Sequence, residues 1–195
     1  FKNDLATGPM MAEVTDLAAR VASALPVLRP ARAQALLARL ALGPGQAHPR
    51  DKLAALLWAE AAAPRARHSL RQALLTIRQT LPGDPPLLLE RGDTVALNPA
   101  AVDVDADTFE RLLKAGMPGA LEQATALYRG ELLEGIVAQD GPFEEWLLTE
   151  RERLRELALE ALGKLLGEQA GAGRVEEAIR PAGRMLALEP AEEPV

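Results

Sequence analysis

The spacing of apolar residues changes once along the first half of the chain, and this change sets the order of its secondary structure. Over residues 30–81 the apolar residues recur at helical spacing, in three groups separated by Gly and Pro, which predicts three helices. Two short apolar runs then flank Arg91-Gly92-Asp93, which predicts a β-hairpin. Three helices followed by a hairpin is the order expected of a winged helix-turn-helix.

The three helices have recognisable ends. The first starts at Pro30 and is ended by Gly43-Pro44-Gly45. The second starts at Pro49, because a first-turn proline lacks only an N–H that has no partner within the helix. The third covers residues 64–81, and its apolar side chains share one face, which predicts that the following are buried: Ala66, Leu70, Ala73, Leu74, Ile77 and Leu81.

The third helix is basic within an acidic chain. It carries four arginines and a histidine and no acidic residue, whereas the whole chain has a formal charge of -6. Residues 26–83 hold nine Lys/Arg against two acids, a net charge of +7, so the remaining residues must carry -13. Such a division favours two modules with different partners, although two solvated surfaces would give the same charges. A nucleic-acid backbone is the obvious large anion for the basic module.

The exposed face of the third helix supplies the candidate contacts. It carries Arg65, His68, Gln72 and Gln79, with Leu75 among them and Arg71 at its flank. Arg and Gln can bond guanine and adenine edges with two hydrogen bonds, while outlying Arg and His can meet phosphates. Arg91, at the hairpin tip, either reaches a phosphate or the minor groove or is a turn charge without a partner. We therefore predict six residues that contact DNA: Arg65, His68, Arg71, Gln72, Gln79 and Arg91.

The second half of the chain is predicted to be helical after one short strand. The alternation of Val102-Asp103-Val104-Asp105 indicates a strand, and Asp107 with Glu110 three positions later indicates a helix start with a capping carboxylate. Apolar patterns then predict four helices, which are marked by residues 109–113, 121–132, 146–166 and 175–188.

Part of this helical half repeats. Residues 119–124 match residues 173–178 at an offset of 54, and residues 157–190 are close to the 34-residue period of a tetratricopeptide unit. Each such helix pair exposes an apolar face that needs a neighbour, so we expect further repeats beyond Val195. Pro181 is expected to kink the last helix.

Several classes of function are disfavoured. The chain has no cysteine, and neither His48 nor His68 stands in a metal-binding spacing. Three aspartates, Asp103, Asp105 and Asp107, resemble the start of a calcium loop, but its sixth and twelfth positions hold Thr108 and Lys114. We find no phosphate-binding loop and no catalytic constellation. We therefore expect no enzyme, no cofactor and no metal, and no apolar run approaches the roughly 20 residues of a membrane span. We expect a cytoplasmic protein.

Several motifs carry a family resemblance. Arg50-Asp51-Lys52-Leu53, Ala66-Arg67-His68-Ser69-Leu70-Arg71-Gln72-Ala73-Leu74, Leu127-Tyr128-Arg129-Gly130-Glu131-Leu132 and Phe143-Glu144-Glu145-Trp146 occur in the order seen in the AfsR/SARP family of bacterial transcriptional regulators. The chain resembles that family over most of its length. The resemblance implies that residues 1–100 are an OmpR-type winged-helix DNA-binding domain. It implies that residues 101–195 are a truncated bacterial transcriptional activator domain, which is tetratricopeptide-like and all-helical.

The resemblance also implies partners. They are double-stranded DNA for the winged helix, and either a protein partner or a second protomer for the helical domain, with no membrane. For residues 1–27 the family implies strands, whereas the apolar spacing also allows a helix.

One departure supports an alternative. The family often has Ser-Arg-Leu-Arg-Arg late in the recognition helix, where this chain has Leu75-Thr76-Ile77-Arg78-Gln79 and so lacks two cations. Losing two phosphate contacts would reduce the salt dependence of DNA binding by about 1.8 log units per log salt. The alternative is a protein-interaction scaffold of the same fold that does not bind DNA.

Overall fold

A computed structural model describes residue 28 and residues 31–117, 119–134 and 141–189. The chain divides into two compact units, the first from residues 1–107 with 141–143 and the second from residues 108–140 with 144–195. Our expectations for residues 1–27 and for the chain beyond residue 189 lie outside the described residues.

The first unit contains three helices and three short strands among its described residues. They are α1 (Ala31–Ala41), β1 (His48–Pro49), α2 (Arg50–Leu57), α3 (Ala63–Thr80), β2 (Leu88–Arg91) and β3 (Thr94–Leu97). The helices and the hairpin therefore lie where the apolar spacing predicts them. The boundaries shift by one residue at most places, because apolar spacing locates a helix better than it locates its ends.

The three strands form one antiparallel sheet in the order β1-β3-β2. The hairpin turn is shorter than predicted, because Arg91 pairs with Thr94 and only Gly92 and Asp93 connect the strands. Gly92 has φ +56°, a left-handed conformation that suits glycine in a tight hairpin turn. Strand β1 was not predicted, since a two-residue strand has no measurable period. It exists through the pairing of His48 with Val95.

The core of the first unit lies where α3 packs against α1 and α2. Five of the six α3 residues predicted to be buried are buried, namely Ala66, Leu70, Ala73, Leu74 and Ile77. Leu81 instead follows the helix and is only partly buried. Burying a Leu or Ile side chain stabilises a fold by about 1.5–3 kcal/mol, so this face holds α3 firmly in place. Its opposite face is consequently presented outward.

Arg32 links α1 to the connection between α2 and α3. Its Nη1 donates to the Leu57 carbonyl at 2.6 Å, and its Nη2 pairs with the Glu60 carboxylate at 2.6 Å. The guanidinium carbon also lies 5.9 Å from the centroid of the buried Trp58 ring. Three contacts from one side chain hold the connection, and thus the start of α3, against α1.

Four helices follow the sheet in the described residues: α4 (Asp105–Ala115), α5 (Ala120–Leu127), α6 (Pro142–Gly171) and α7 (Val175–Leu188). The mainly helical fold class with a small β component is confirmed. The strand predicted over residues 102–105 is wrong. Val102 is buried, but residues 102–104 pair with no described strand, and α4 already begins at Asp105, two residues before Asp107.

Two other boundaries differ from prediction. Helix α5 ends at Leu127 rather than Leu132, because the backbone of Tyr128 is extended. The carbonyls of Leu132 and Leu133 instead accept hydrogen bonds from Arg151 at 2.9 and 3.2 Å. Helix α6 is longer than predicted at both ends. It starts at Pro142, since proline is tolerated in the first turn.

The internal repeat has a structural counterpart. Gly119 and Gly173 both have positive φ, 77° and 72°, and each precedes one of the helices α5 and α7. Helix α7 runs through Pro181, which is buried. The tetratricopeptide assignment itself stays a prediction.

Two arginines connect the helices of the second unit. Arg184 on α7 donates to the Thr125 carbonyl at 2.7 Å and to the Tyr128 carbonyl at the end of α5. Arg153 on α6 bonds Glu110 on α4 at 2.8 Å and its own-helix neighbour Glu150 at 2.7 Å. Burial opposes the charged form of Arg153, but these two carboxylates raise its pKa overall. The acidic half therefore uses some of its carboxylates to join helices.

Candidate functional site

The start of α3 lacks the polar cap and the acidic residues that usually stabilise a helix N-terminus. Its N-cap is Ala62, which makes no side-chain cap hydrogen bond, and Pro64 lies in the first turn. The first turn contains no acidic residue, although helix starts favour acids and polar caps. The first turn of α3 is therefore less stable than one with a polar cap and an acidic residue. It leaves the positive end of the helix dipole uncompensated, which favours an approaching anion.

All six residues predicted to contact DNA are exposed: Arg65, His68, Arg71, Gln72, Gln79 and Arg91. Five of them are on α3 and Arg91 ends β2. From His68 to Gln79 the helix advances about 16 Å at about 1.5 Å per residue. A helix face of that length matches about five base pairs at about 3.4 Å each.

The four arginines of α3 fall into two pairs. Arg67 donates from Nε and Nη2 to the Asp51 carboxylate of α2, at 2.7 and 2.8 Å. Arg78 forms an ion pair with Glu90 of β2, and the same carboxylate also binds Arg50. Across the described ranges, by contrast, the guanidinium groups of Arg65 and Arg71 have neither a hydrogen bond nor an ion pair. Half of the positive charge is thus bound by the protein itself, and half is available.

The Arg67–Asp51 pair stays charged. The hydrogen bond from Arg67 lowers the pKa of Asp51, and the same bond raises the pKa of Arg67. Both groups lie at the surface, where an isolated pair adds little to stability. Its geometric effect is larger, because a two-point contact between guanidinium and carboxylate fixes the orientation of α3 against α2.

A cleft of about 360 Å³ lies beside this pair, within the first unit. It is lined by residues of α2, α3 and the hairpin turn: Arg50, Asp51, Pro64, Arg67, Leu70, Arg71 and Asp93. The Arg50 N–H donates to the Asp93 carbonyl at 2.9 Å, which brings the turn to the start of α2. Among the cations of this lining, Arg71 alone lacks a carboxylate partner in the part of the chain that the structure describes. An unpaired guanidinium therefore borders an open cleft.

The roles of Asp51 and Glu90 were not predicted from the sequence. Asp51 is 16 positions from Arg67, and Glu90 is 40 positions from Arg50, so no helical spacing relates the partners. For Asp51 the available signal was the scarcity of acids in the basic segment of residues 26–83. Where few carboxylates accompany many arginines, each carboxylate is expected to find a guanidinium.

His48 is a buried polar group of the first unit. It is 6% exposed, and its Nε2 has no hydrogen-bond partner among the described residues. Burial lowers the pKa of His48, and the positive charge of Arg39 lowers it further. His48 is therefore neutral at neutral pH, and it lies inside the fold rather than on the outward face of α3.

The described residues contain no group of three side chains arranged to hold a metal ion. In the same residues, none of the helices combines the length and the apolar character that crossing a bilayer requires.

Comparison with known families addresses the second half of the chain. Residues 104–195 match the family described as the bacterial transcriptional activator domain. The match begins one residue before α4 and includes α5, α6 and α7. None of the curated proteins matches the chain. The match agrees with the AfsR/SARP resemblance for this half, and at the family level it implies a transcriptional-activator type of role.

Proposed function

We propose that the first unit is a winged helix-turn-helix that binds duplex DNA, within a regulator whose second unit is a bacterial transcriptional activator domain. The short connection over residues 58–62 joins α2 to α3, and a hairpin comes next, which is the element order of that motif. The observation that carries the proposal is the outward face of α3. It combines two arginines whose guanidinium groups have no partner among the described residues with a helix start that lacks any acid.

The proposal assigns roles by chemistry. Arg65, Arg71 and Arg91 contact phosphates, because their guanidinium groups are exposed and bind no carboxylate in the described residues. Gln72 and Gln79 contact base edges, since an amide can bond the edge of adenine at two points. His68 lies on the same face and contacts either a phosphate or a base. No catalytic step, cofactor or metal belongs to this function, and its place would be the cytoplasm, where bacterial DNA lies.

For the second unit we propose a protein partner or a second protomer. Helix α7 exposes three large apolar side chains, Val175, Ile179 and Leu186, at 67%, 66% and 74%. Their spacing of four and seven positions puts them on one face of the helix. A row of exposed apolar residues on one helix face supports protein contact more than solvation.

The test is a titration of duplex DNA at several salt concentrations. We expect affinity to fall with salt and expect the double variant Arg65→Ala/Arg71→Ala to reduce the magnitude of the log–log slope by about 1.8. The matched control is Arg174→Ala/Arg180→Ala, which changes the net charge equally but alters the second unit. An unchanged slope in the α3 variant, or an equal change in the control, would contradict the assignment to α3.

The scaffold alternative has one specific observation in its favour. Two of the four α3 arginines are held by Asp51 and Glu90, so the charge left for DNA is half of what the sequence suggests. Selection of bound duplexes from a random pool separates the two functions. Enrichment of a common sequence supports the regulator. A protein that retains protein partners but enriches no duplex at low salt supports the scaffold.

A further inference from the structure

Leu75 is an apolar residue in the middle of the outward face of α3. It is 42% exposed, whereas the other large apolar side chains of this helix, Leu70, Leu74 and Ile77, are buried. It stands three positions after Gln72 and four before Gln79, so the three side chains are neighbours on one face. Leu75 is therefore the large apolar side chain of α3 that faces away from the core among the described residues.

The side chains around Leu75 include both hydrogen-bonding groups and cations. His68, Gln72 and Gln79 share its face and carry hydrogen-bonding groups. Of the cations, Arg65 stands at the start of that face, and Arg71 and Arg78 lie at its flank. A helix in a groove meets base edges along its centre and phosphates along its sides. The centre of the outward face of α3 thus has the hydrogen-bonding composition of a base-reading surface, and Leu75 is its large apolar member.

We propose that Leu75 contacts the 5-methyl group of thymine, so that the outward face of α3 recognises a site containing A·T base pairs. This inference rests on the proposed function. In the major groove, thymine presents a methyl group beside an acceptor, and its partner adenine presents the acceptor and donor that an amide side chain can bond together. A leucine between two glutamines therefore provides both halves of A·T recognition.

The axial spacing fits adjacent base pairs. Three residues of helix rise about 4.5 Å and four rise about 6 Å. Base pairs are stacked at about 3.4 Å. Gln72, Leu75 and Gln79 therefore address neighbouring or next-neighbouring pairs, and the expected site is a short run containing A·T pairs.

The test uses duplexes selected from a random pool, with the full chain as the binding protein. Each thymine of the selected site is replaced singly by deoxyuracil, which removes the methyl group and keeps the base pairing. We expect the wild-type chain to lose affinity about three- to fivefold at one or two thymines, the effect of one buried methyl group. Leu75→Ala should bind the thymine and uracil duplexes equally, and Leu75→Met should keep the discrimination.

The control is Leu148→Ala, which removes a leucine of α6 that is 56% exposed and should leave the discrimination unchanged. Wild-type protein that binds thymine and uracil duplexes equally at every position overturns the inference, as does discrimination that survives in Leu75→Ala. In both cases an arginine-dependent salt slope would leave the proposed function standing. Absence of duplex binding at low salt would overturn both.

Discussion

Arginine has two different roles within α3. Arg67 and Arg78 bind Asp51 and Glu90 and so attach the helix to α2 and β2. Arg65 and Arg71 are exposed and, among the described residues, bind no carboxylate. Because only unpaired cations release counterions from DNA without first losing a protein contact, a simple count of arginines overstates the charge available for binding.

His48 makes stability depend on pH. Its folded-state pKa is lowered below 6.5 by burial and then by Arg39, so the folded chain keeps it neutral where the unfolded chain binds a proton. The free energy of unfolding should therefore fall as pH falls below about 6.5, by at most about 1.4 kcal/mol per pH unit, until the folded-state pKa is reached. Urea unfolding between pH 7.5 and 5 measures this slope.

The two histidines of the chain give a matched comparison for this slope. His48→Gln should remove the contribution, whereas His68→Gln, at an exposed position, should retain it. An identical slope in the wild type and in His48→Gln would show that His48 does not titrate differently in the two states.

The hairpin turn depends on one backbone conformation. Gly92 has φ +56°, and a Cβ placed there would meet no atom within 4 Å, so any cost of substitution is conformational. Gly92→Ala should lower the free energy of unfolding of the first unit by about 1 kcal/mol. Gly92→Asn should lose less, because Asn tolerates the left-handed region. Equal stability of the two variants in urea unfolding would mean that the turn does not need a left-handed residue.

The elements that the sequence predicts well are long and periodic. Helix α3 has five buried apolar residues in 18, and this number of repeats identifies both the helix and its outward face. Strand β1 has two residues, and residues 102–105 alternate over only four positions. Neither segment is long enough for its apolar pattern to identify a strand. Whether such a segment forms a strand depends instead on its pairing across the sheet. Exposure of the candidate site was predictable for the same reason, but the pairing of Arg67 and Arg78 depends on distant residues.

At the scale of the whole molecule, charge is distributed unevenly. Residues 26–83 carry +7 and the remainder -13, which sum to -6. The acidic part repels a duplex at long range and should reduce non-specific binding. Glu156, Glu168 and Glu176 are exposed, and their carboxylates accept no hydrogen bond within the described ranges.

Changing these three residues to Gln moves the net charge from -6 to -3, since each substitution removes one negative charge. We expect affinity for a random-sequence duplex to rise by about a few-fold, because removing three negative charges weakens the long-range repulsion between protein and duplex. The gain should be measurable near 0.01 M salt, where the Debye length is about 30 Å, and vanish near 1 M, where it is about 3 Å. The triple Glu→Asp variant keeps the charge and should behave like the wild type. A gain that persists at high salt would contradict a long-range origin.

Glu90 of β2 influences the orientation of two helices. Its carboxylate is shared by Arg78 near the end of α3 and by Arg50 at the start of α2. Helices α2 and α3 are thereby both linked to strand β2, so a rotation of either helix about its axis would break an ion pair with Glu90. If α3 binds DNA as proposed, a substitution of Glu90 would change the orientation of this helix, and so its sequence preference, from a position outside the proposed DNA contacts.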